Sequence, residues 1–412
     1  VSMLQRVITT LLLALCLAQV AAAKDRVLGM SERVFKIIGE AQAFVDAEDY
    51  AAAREVVDDA LERRRLSTYE RAHMLNIKGY TWYEQDNLET AIATYEEALA
   101  LEDLPVSMLI TLRLTLGQVN LVAENYAESE KHLRALLALE TQDTGSNKAL
   151  LAASLMGQER FAEALTPLVD AIESEEAAGG TVRENWLSML SSVYFELDDY
   201  PAMREVIEKL VVLYPREQYL MNLAALHGQL GESEKQLALI ESLRDDERLE
   251  RPTDLTMLVN LYLGAELPYE AASLLDSELA SGRVESTVKN LELLSQAWYL
   301  SAETERAIAP LAKAAEMSES GEIYLRLARL HMDAYEWAEA EEAARAALDK
   351  GGLKEEGHAW LLRGMAQVRL KQFLEAQRHF ERAGKFDYTE TYASQWLKYV
   401  DAEQARIEAT GS

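Results

Sequence analysis

The sequence predicts an all-α protein, a right-handed α-solenoid of about ten degenerate helix pairs closed by a C-terminal capping helix. Composition is the first observation behind this prediction, because the 412 residues are rich in Ala, Leu and Glu and include only 19 glycines and 7 prolines. The second is an internal repeat of about 34 residues. The third is a set of short polar stretches, such as Asp198-Asp199-Tyr200, which are typical of turns between paired helices.

The repeat is clearest in residues 72–105 and 357–390. Counted from the start of each segment, position eight is glycine, positions 20 and 27 are alanine, and position 24 is aromatic. These residues are Gly79, Ala91, Ala98 and Tyr95 in one segment and Gly364, Ala376, Ala383 and Phe380 in the other. The same register can be laid at ten starts: Val34, Ala72, Ile110, Gly145, Glu184, Glu217, Pro252, Val288, Gly321 and Gly357. Small residues at positions eight and 20 let two antiparallel helices approach closely, and larger residues fill the space around that contact.

The chain divides into four predicted regions. Residues 1–23 are a signal peptide, 24–178 an N-terminal sub-array, 179–390 a C-terminal sub-array, and 391–412 a capping helix and tail. The boundary between the sub-arrays is placed at a long insert that contains Gly179-Gly180. Pro167 and Pro310 fall inside predicted helices, where each should kink the helix or remove one backbone hydrogen bond. In the capping helix, we expect Trp396 and Tyr399 to pack inward on the array.

The signal peptide is predicted from charge and side-chain size. Arg6 is the only charged residue before Lys24, residues 7–20 form an apolar stretch, and Ala21-Ala22-Ala23 supplies the small residues that signal peptidase requires. The apolar stretch is too short to span a bilayer comfortably. We therefore expect cleavage after Ala23, a periplasmic location and no insertion of the mature chain in a membrane.

Two alternatives remain open at this end of the chain. The stretch ending at Cys16 slightly resembles a lipobox, although Leu15 is larger than the residue expected before such a cysteine. Translation from Met30 would leave the protein in the cytoplasm. Cleavage after Ala23 removes Cys16, the single cysteine, so the mature chain would hold no disulfide and no thiolate metal site.

The net charge of the chain limits the classes of partner that it can bind. The formal net charge is −29, from 70 acidic and 41 basic residues. Such a chain repels phosphate backbones and anionic lipid surfaces unless it carries a concentrated basic patch. Its densest basic cluster, Arg63-Arg64-Arg65, is typical of the solvated last turn of a helix. The sequence therefore predicts no nucleic-acid partner.

Motifs for catalysis or metal binding are absent from the sequence. The six histidines are scattered, and none has a second ligand at a convincing zinc spacing. His227 and His331 fall at position 11, where a large core side chain is expected. There is no glycine-rich phosphate loop, no nucleophile elbow and no HExxH. We therefore predict a protein that is not an enzyme and that binds no cofactor or metal.

The repeat resembles the tetratricopeptide repeat (TPR) family over nearly the whole mature chain, most closely in the first, second, ninth and tenth repeats. In that architecture the first helix of each repeat, helix A, lines a concave groove with positions two, five, nine and 12. The resemblance implies a groove that binds a partner peptide or helix. The C-terminal part of this groove is apolar and carries methionines, which suits contact with partners of varied shape. The predicted groove residues are Asn76, Tyr80, Tyr83, Asn260, Tyr299, Arg329, Met332, Leu361 and Met365.

A narrower resemblance concerns the client. Residues 214–243, together with the length, the signal peptide and the layout, are similar to periplasmic TPR proteins associated with the TonB–ExbB–ExbD system of Gram-negative bacteria. This resemblance implies a scaffold in TonB-dependent energy transduction, with TonB, ExbB or ExbD components as partners. The alternative is an assembly factor for outer-membrane or cell-wall machinery. An enzyme with a regulatory helical array is a different class, against which the absence of a second domain argues.

Overall fold

The computed structural model describes residues 29–63, 65–139, 145–249 and 251–410, and within these ranges it contains 21 α-helices and no β-strand. The predicted signal peptide, with Cys16 and its cleavage site, lies outside the described residues. None of the described helices is both long enough and apolar enough to cross a bilayer.

Ten consecutive helix pairs account for 20 of the helices, and one further helix follows them. In each pair the first helix is called A and the second B. The chain forms two compact units, and the boundary between them in the sequence falls between Tyr219 and Leu220. The first five pairs are α1 (Glu32–Asp46) with α2 (Tyr50–Arg63), α3 (Thr68–Glu84) with α4 (Leu88–Leu99), α5 (Val106–Val122) with α6 (Tyr126–Leu137), α7 (Gly145–Gly157) with α8 (Phe161–Ala177), and α9 (Glu184–Glu196) with α10 (Tyr200–Leu213).

The C-terminal unit holds most of α11 and all the helices that follow it. The last five pairs are α11 (Glu217–Gln229) with α12 (Ser233–Asp245), α13 (Pro252–Gly264) with α14 (Pro268–Ser281), α15 (Val288–Leu300) with α16 (Thr304–Met317), α17 (Glu322–Asp333) with α18 (Trp337–Lys350), and α19 (Glu356–Arg369) with α20 (Phe373–Ala383). The capping helix is α21 (Asp387–Thr410). Ten pairs and a final helix confirm the predicted fold class of stacked helix pairs.

The register is visible in the backbone of every turn between helix A and helix B. The residue at position 15 has a φ between 56° and 74° in all ten pairs, in the left-handed region that most side chains avoid. These residues are Glu48, Asp86, Glu124, Glu159, Asp198, Gly231, Glu266, Ala302, Tyr335 and Lys371. Only one of them is glycine, so the turn geometry is imposed by the helix pair. The middle repeats, whose sequence pattern is weakest, therefore share the register of the others.

Close packing of A on B explains the small residues. A Cβ atom on Gly79 would lie 2.7 Å from the ring of Tyr95, and one on Gly364 would lie 2.7 Å from the ring of Phe380. These are positions eight and 24 of the second and tenth pairs. The seven alanines at position 20 are all at most 1% exposed: Ala53, Ala91, Ala164, Ala271, Ala307, Ala340 and Ala376. The predicted packing of small against large residues is confirmed.

A buried carboxylate ties the first pair to the second. Glu70, which is 6% exposed, accepts hydrogen bonds from the backbone N–H and hydroxyl of Ser31 at the start of α1. Its second oxygen accepts the same two bonds from Ser67 at the start of α3. Burial opposes ionisation, but these four donors outweigh it and lower the pKa of Glu70 to about 2. The starts of the first two A helices are thus held together.

The capping helix closes the C-terminal unit. Ala393 and Val400 on α21 are fully buried, and the indole of Trp396 stacks on Phe380 with 5.6 Å between the ring centroids. The expectation that Tyr399 also packs inward is wrong, because its side chain is 48% exposed and meets Trp396 edge-on. Only a narrow stripe of α21 packs on the array, and Tyr399 lies outside this stripe although it is aromatic.

Two further sequence predictions concern helix breakers. Pro167 lies inside α8 and Pro310 inside α16, and both helices continue beyond the proline.

The sub-array boundary at Gly179 stays a prediction. One apolar cluster of the N-terminal unit includes Leu168 on α8 and Trp186 on α9, so it spans that point of the chain.

The close approach at position eight predicts opposite effects for two Gly→Ala substitutions in the N-terminal unit. Gly79→Ala should lower the free energy of unfolding by about 1–3 kcal/mol, because the new Cβ meets the buried ring of Tyr95. Gly39→Ala should raise it by about 0.5–1 kcal/mol, since a Cβ there contacts nothing and alanine favours helix. Urea unfolding followed by circular dichroism measures both. Equal effects of the two substitutions would contradict the packing argument.

Candidate interaction face

The candidate site is the face of the C-terminal unit formed by A helices α13, α15, α17 and α19. On α13, positions four, seven, eight and 11 are the buried residues Leu255, Leu258, Val259 and Tyr262. Position nine therefore points away from this core, since helical residues of one face recur every three to four positions. At position nine, Asn260, Gln296 and Arg329 are exposed on α13, α15 and α17. Three successive A helices thus present a row of polar side chains, called here the position-nine row.

Two cross-links hold α15 against α17 beside this row. The Tyr299 hydroxyl donates a hydrogen bond to the Asp333 carboxylate at 3.0 Å, although 48% of the tyrosine is exposed. Arg326 forms an ion pair with Glu292. The hydrogen bond to Asp333 raises the pKa of the Tyr299 phenol, which therefore stays neutral. The spacing of the two helices, and hence of Gln296 and Arg329, is fixed by these contacts.

The remaining predicted residues of this unit are less accessible. Met332 on α17 is half-buried, as are Leu361 and Met365 on α19. Leu361 and Met365 pack against the apolar cluster that Phe380 and Val400 form with the capping helix. The polar members of the predicted set are thus more exposed than its apolar members. Asp333 at position 13 was missed from the sequence because its role depends on the neighbouring helix.

Three predicted residues belong to the N-terminal unit. Asn76, Tyr80 and Tyr83 lie on α3 and are half-buried. Tyr83 packs against the cluster built around Ala72 and Tyr95, and burial raises the pKa of its phenol. These three residues lie on one side of α3, within the N-terminal unit. Their role in binding stays a prediction, as it does for the residues of the C-terminal unit.

Two histidines make the same local contact. His227 Nδ1 lies 2.6 Å from the Glu232 carboxylate, and His331 Nδ1 lies 2.7 Å from the Glu336 carboxylate. Each histidine is at position 11, less than 10% exposed, and each glutamate precedes the B helix of the same pair. These contacts join helix A to the start of helix B. The core role predicted for both histidines agrees with this burial.

One group in the described chain has the composition of a metal site. Ligand atoms of Glu96, Glu128 and His132 lie within 4.8 Å of one another. Arg113 Nη1, however, lies 3.0 Å from His132 Nδ1, and arginine can only donate a hydrogen bond, so that nitrogen is the acceptor. The proton of a neutral ring must then sit on Nε2, which is 2.9 Å from Glu96. The group does not fit a cation, because Nε2 lacks a free lone pair and a guanidinium faces the same ring.

The tenth pair holds a histidine that resists protonation. His379 Nδ1 lies 2.7 Å from the Gln367 side-chain oxygen, and the ring stacks on Trp360 with 5.4 Å between centroids. Burial, reinforced by the charges of Arg363 and Arg382, lowers the pKa of His379 to about 4. The imidazole is therefore neutral over the physiological range, and its protonation opposes folding.

Comparison with known proteins identifies repeats at both ends of the chain. Residues 38–103 and 325–387 match the family model described as tetratricopeptide repeat. The two stretches coincide with the first two and the last two helix pairs. A search of curated proteins gives no match. The match to the family model is thus confined to the pairs whose sequence pattern is strongest.

Solved structures of repeat proteins are also similar to the chain. A tetratricopeptide repeat protein from Parabacteroides merdae is 16% identical with a TM-score of 0.40, and the match covers 73% of this chain and 100% of that one. The TPR2AB domain of yeast Sti1, in a complex with pHSP90, is 17% identical with a TM-score of 0.37, covering 66% and 99%. YrrB, a TPR protein with an unusual peptide-binding site, is 18% identical with a TM-score of 0.38, covering 47% and 99%.

The low pKa of His379 predicts a loss of stability in acid. The unfolded chain binds this proton more tightly, so the contribution of neutral His379 is present above pH 6.5 and is lost as the pH falls towards 4. Between pH 7 and pH 5, the wild type should lose about 1 kcal/mol more than His379→Gln, after allowing for solvent at the ring. Urea unfolding at each pH measures this difference. Between pH 7 and 8 the two proteins should change alike, whereas equal losses at pH 5 would exclude His379 as the cause.

Proposed function

We propose that this chain, whose first two and last two helix pairs match a tetratricopeptide repeat model, is a non-catalytic scaffold that holds a partner peptide or helix on the A-helix face of its C-terminal unit. Tetratricopeptide repeats are protein-interaction modules, and stacked pairs offer a long continuous surface. The observation that carries the proposal is the position-nine row, Asn260, Gln296 and Arg329, exposed on three successive A helices. The Tyr299–Asp333 hydrogen bond supports it by fixing two of these helices.

The chemistry of the row suits an extended segment. Amide side chains donate and accept hydrogen bonds, and a guanidinium donates several, so the row can satisfy the backbone groups of a peptide. Packed helices lie about 8–10 Å apart, whereas an extended chain rises about 3.3 Å per residue. Each A helix can therefore meet about every third residue of the segment. Affinity then comes from main-chain bonds, and specificity from side chains that reach Met332 and Tyr299.

For location and client, we propose the periplasm of a Gram-negative bacterium and the TonB–ExbB–ExbD system. The signal-peptide features of residues 1–23 and the similarity of residues 214–243 support this assignment. Assembly of outer-membrane or cell-wall machinery is the second candidate, since it places the same kind of scaffold in the same compartment.

The position-nine row predicts which side chains carry binding. The triple variant Asn260→Ala, Gln296→Ala, Arg329→Ala should weaken binding of the partner at least tenfold, a loss of about 1.4 kcal/mol, because three sets of hydrogen bonds are removed. A control triple on B helices replaces the exposed residues Ser277, Lys313 and Arg345 by alanine. Isothermal titration with the purified partner measures both. Equal binding by the two triples would contradict the proposed face.

The identity of the binding partner is tested by capture from the periplasm of a Gram-negative host. The wild-type chain, tagged at its C-terminus and expressed in a Gram-negative host, should appear in the periplasmic fraction with residues 1–23 removed, as measured by intact mass. It should also recover TonB, ExbB or ExbD, and the position-nine triple variant should lose them. Recovery of only outer-membrane or cell-wall machinery would replace the TonB assignment by the alternative, and retention in the cytoplasm would exclude both.

A further inference from the structure

A concave feature of the C-terminal unit lies between the tenth pair and the capping helix. It has a volume of about 710 Å³, which is within the usual size range of ligand sites. The end of α19, the turn and the start of α20 contribute Arg369, Lys371 and Phe373. The capping helix contributes a wall that includes Trp396, Tyr399, Glu403 and Arg406. This feature is called the cap pocket.

Aromatic side chains give the cap pocket an apolar wall. Trp396 is held by stacking on Phe380, and Tyr399 meets it edge-on with 5.7 Å between the ring centroids. Tyr399 is 48% exposed, and Phe373 at the start of α20 faces the same space. Phe373 and Trp396 pack against the buried cluster that includes Phe380 and Val400, so the pocket offers a preformed surface for an apolar side chain.

The charge of the cap pocket is opposite to that of the chain. Its lining holds the cations Arg369, Lys371 and Arg406 and a single carboxylate, Glu403. Glu403 is paired with Arg406 at 2.8 Å. Arg369 lies over the ring of Trp337 at 5.3 Å, and neither Arg369 nor Lys371 forms an ion pair with a carboxylate in the described part of the chain. Two cations are therefore available to a carboxylate that enters the pocket.

The tenth pair as a whole shares this charge. Between the first residue of α19 and the last of α20, five arginine and lysine side chains stand against three glutamates. It is the one pair of the ten in which basic residues outnumber acidic residues, whereas the whole chain has a net charge of −29. The excess is placed on helices that pack directly against the capping helix.

We propose that the cap pocket binds an acidic segment of a partner protein that carries an apolar side chain beside its carboxylates. The apolar side chain rests on Phe373, Trp396 and Tyr399, and the carboxylates pair with Arg369 and Lys371. Charge complementarity selects this occupant, because cations lining an apolar wall favour carboxylates and oppose a basic segment. The site is separate from the position-nine row and goes beyond the function proposed for that face.

The test uses the full chain and a fluorescein-labelled decapeptide of glutamate and aspartate with a central Leu-Phe pair. Fluorescence anisotropy should show saturable binding that weakens with added salt. The double variant Arg369→Glu, Lys371→Glu should raise Kd at least tenfold. A matched control, Arg378→Glu with Lys385→Glu, makes the same change of net charge at exposed positions outside the pocket and should change Kd less than twofold.

Further probes distinguish binding at the cap pocket from binding elsewhere on the chain. Replacing the Leu-Phe pair of the peptide by serines should weaken binding at least fivefold, and the position-nine triple variant should bind the acidic peptide as the wild type does. A reciprocal peptide with lysine in place of its acids should bind the Arg369→Glu, Lys371→Glu variant better than the wild type. Circular dichroism melting checks that each variant is folded.

Three results would overturn the proposal. The first is equal loss of binding in the pocket variant and its charge-matched control, since net charge alone would then account for the loss. The second is loss in the position-nine variant, which would place the peptide on the other face. The third is a wild type that sediments as an oligomer and is dissociated by Arg369→Glu, Lys371→Glu, because a second copy of the chain would then be the occupant.

Discussion

In the pairs with glycine at position eight, helix A and helix B approach so closely that the side chain at position 24 occupies the space that a Cβ atom would need. Tyr95 lies against Gly79 and Phe380 against Gly364 in this way. Once the two helices are in contact there, the chain between them must reverse in very few residues. That reversal places position 15 in the left-handed region in every pair, whether the residue is a glutamate, an alanine, a tyrosine or a lysine. The strain of about 1–2 kcal/mol at each non-glycine turn is offset by the burial that the contact allows.

The same contact decides which residues face outward. On α13, α15 and α17, positions seven, eight and 11 are buried and position nine lies on the opposite side of the helix. Asn260, Gln296 and Arg329 are exposed for this reason. Substituting these exposed side chains should leave the packing between helix A and helix B unchanged, so the chemistry of this face can vary while the fold remains.

The sequence was sufficient for features that depend on local spacing. Small residues at positions eight and 20, with rings at position 24 of the second and tenth repeats, indicated the helix pairs, and all ten pairs are present in the described residues. Features that depend on neighbouring pairs were not predictable. Tyr399 was expected to be buried because it is aromatic, yet only one narrow stripe of α21 meets the array. Leu361 and Met365 are half-buried because the capping helix adds to the cluster beside them. The cap pocket was missed because Lys371 and Tyr399 are distant in sequence and no pattern relates them.

The distribution of charge gives these surfaces different selectivity. An acidic chain repels acidic partners at long range, but at physiological ionic strength charges are screened beyond about 8 Å. Recognition at contact distance therefore depends on the local set of side chains. At the position-nine row that set is largely neutral, with Arg329 beside two amides and a phenol that stays protonated. At the cap pocket it is cationic and aromatic. A neutral polar row favours backbone hydrogen bonds with little preference for partner charge, whereas the pocket discriminates by charge. One unit of this chain can thus hold two segments of different chemistry, as a scaffold requires, without either surface altering the contact at position eight.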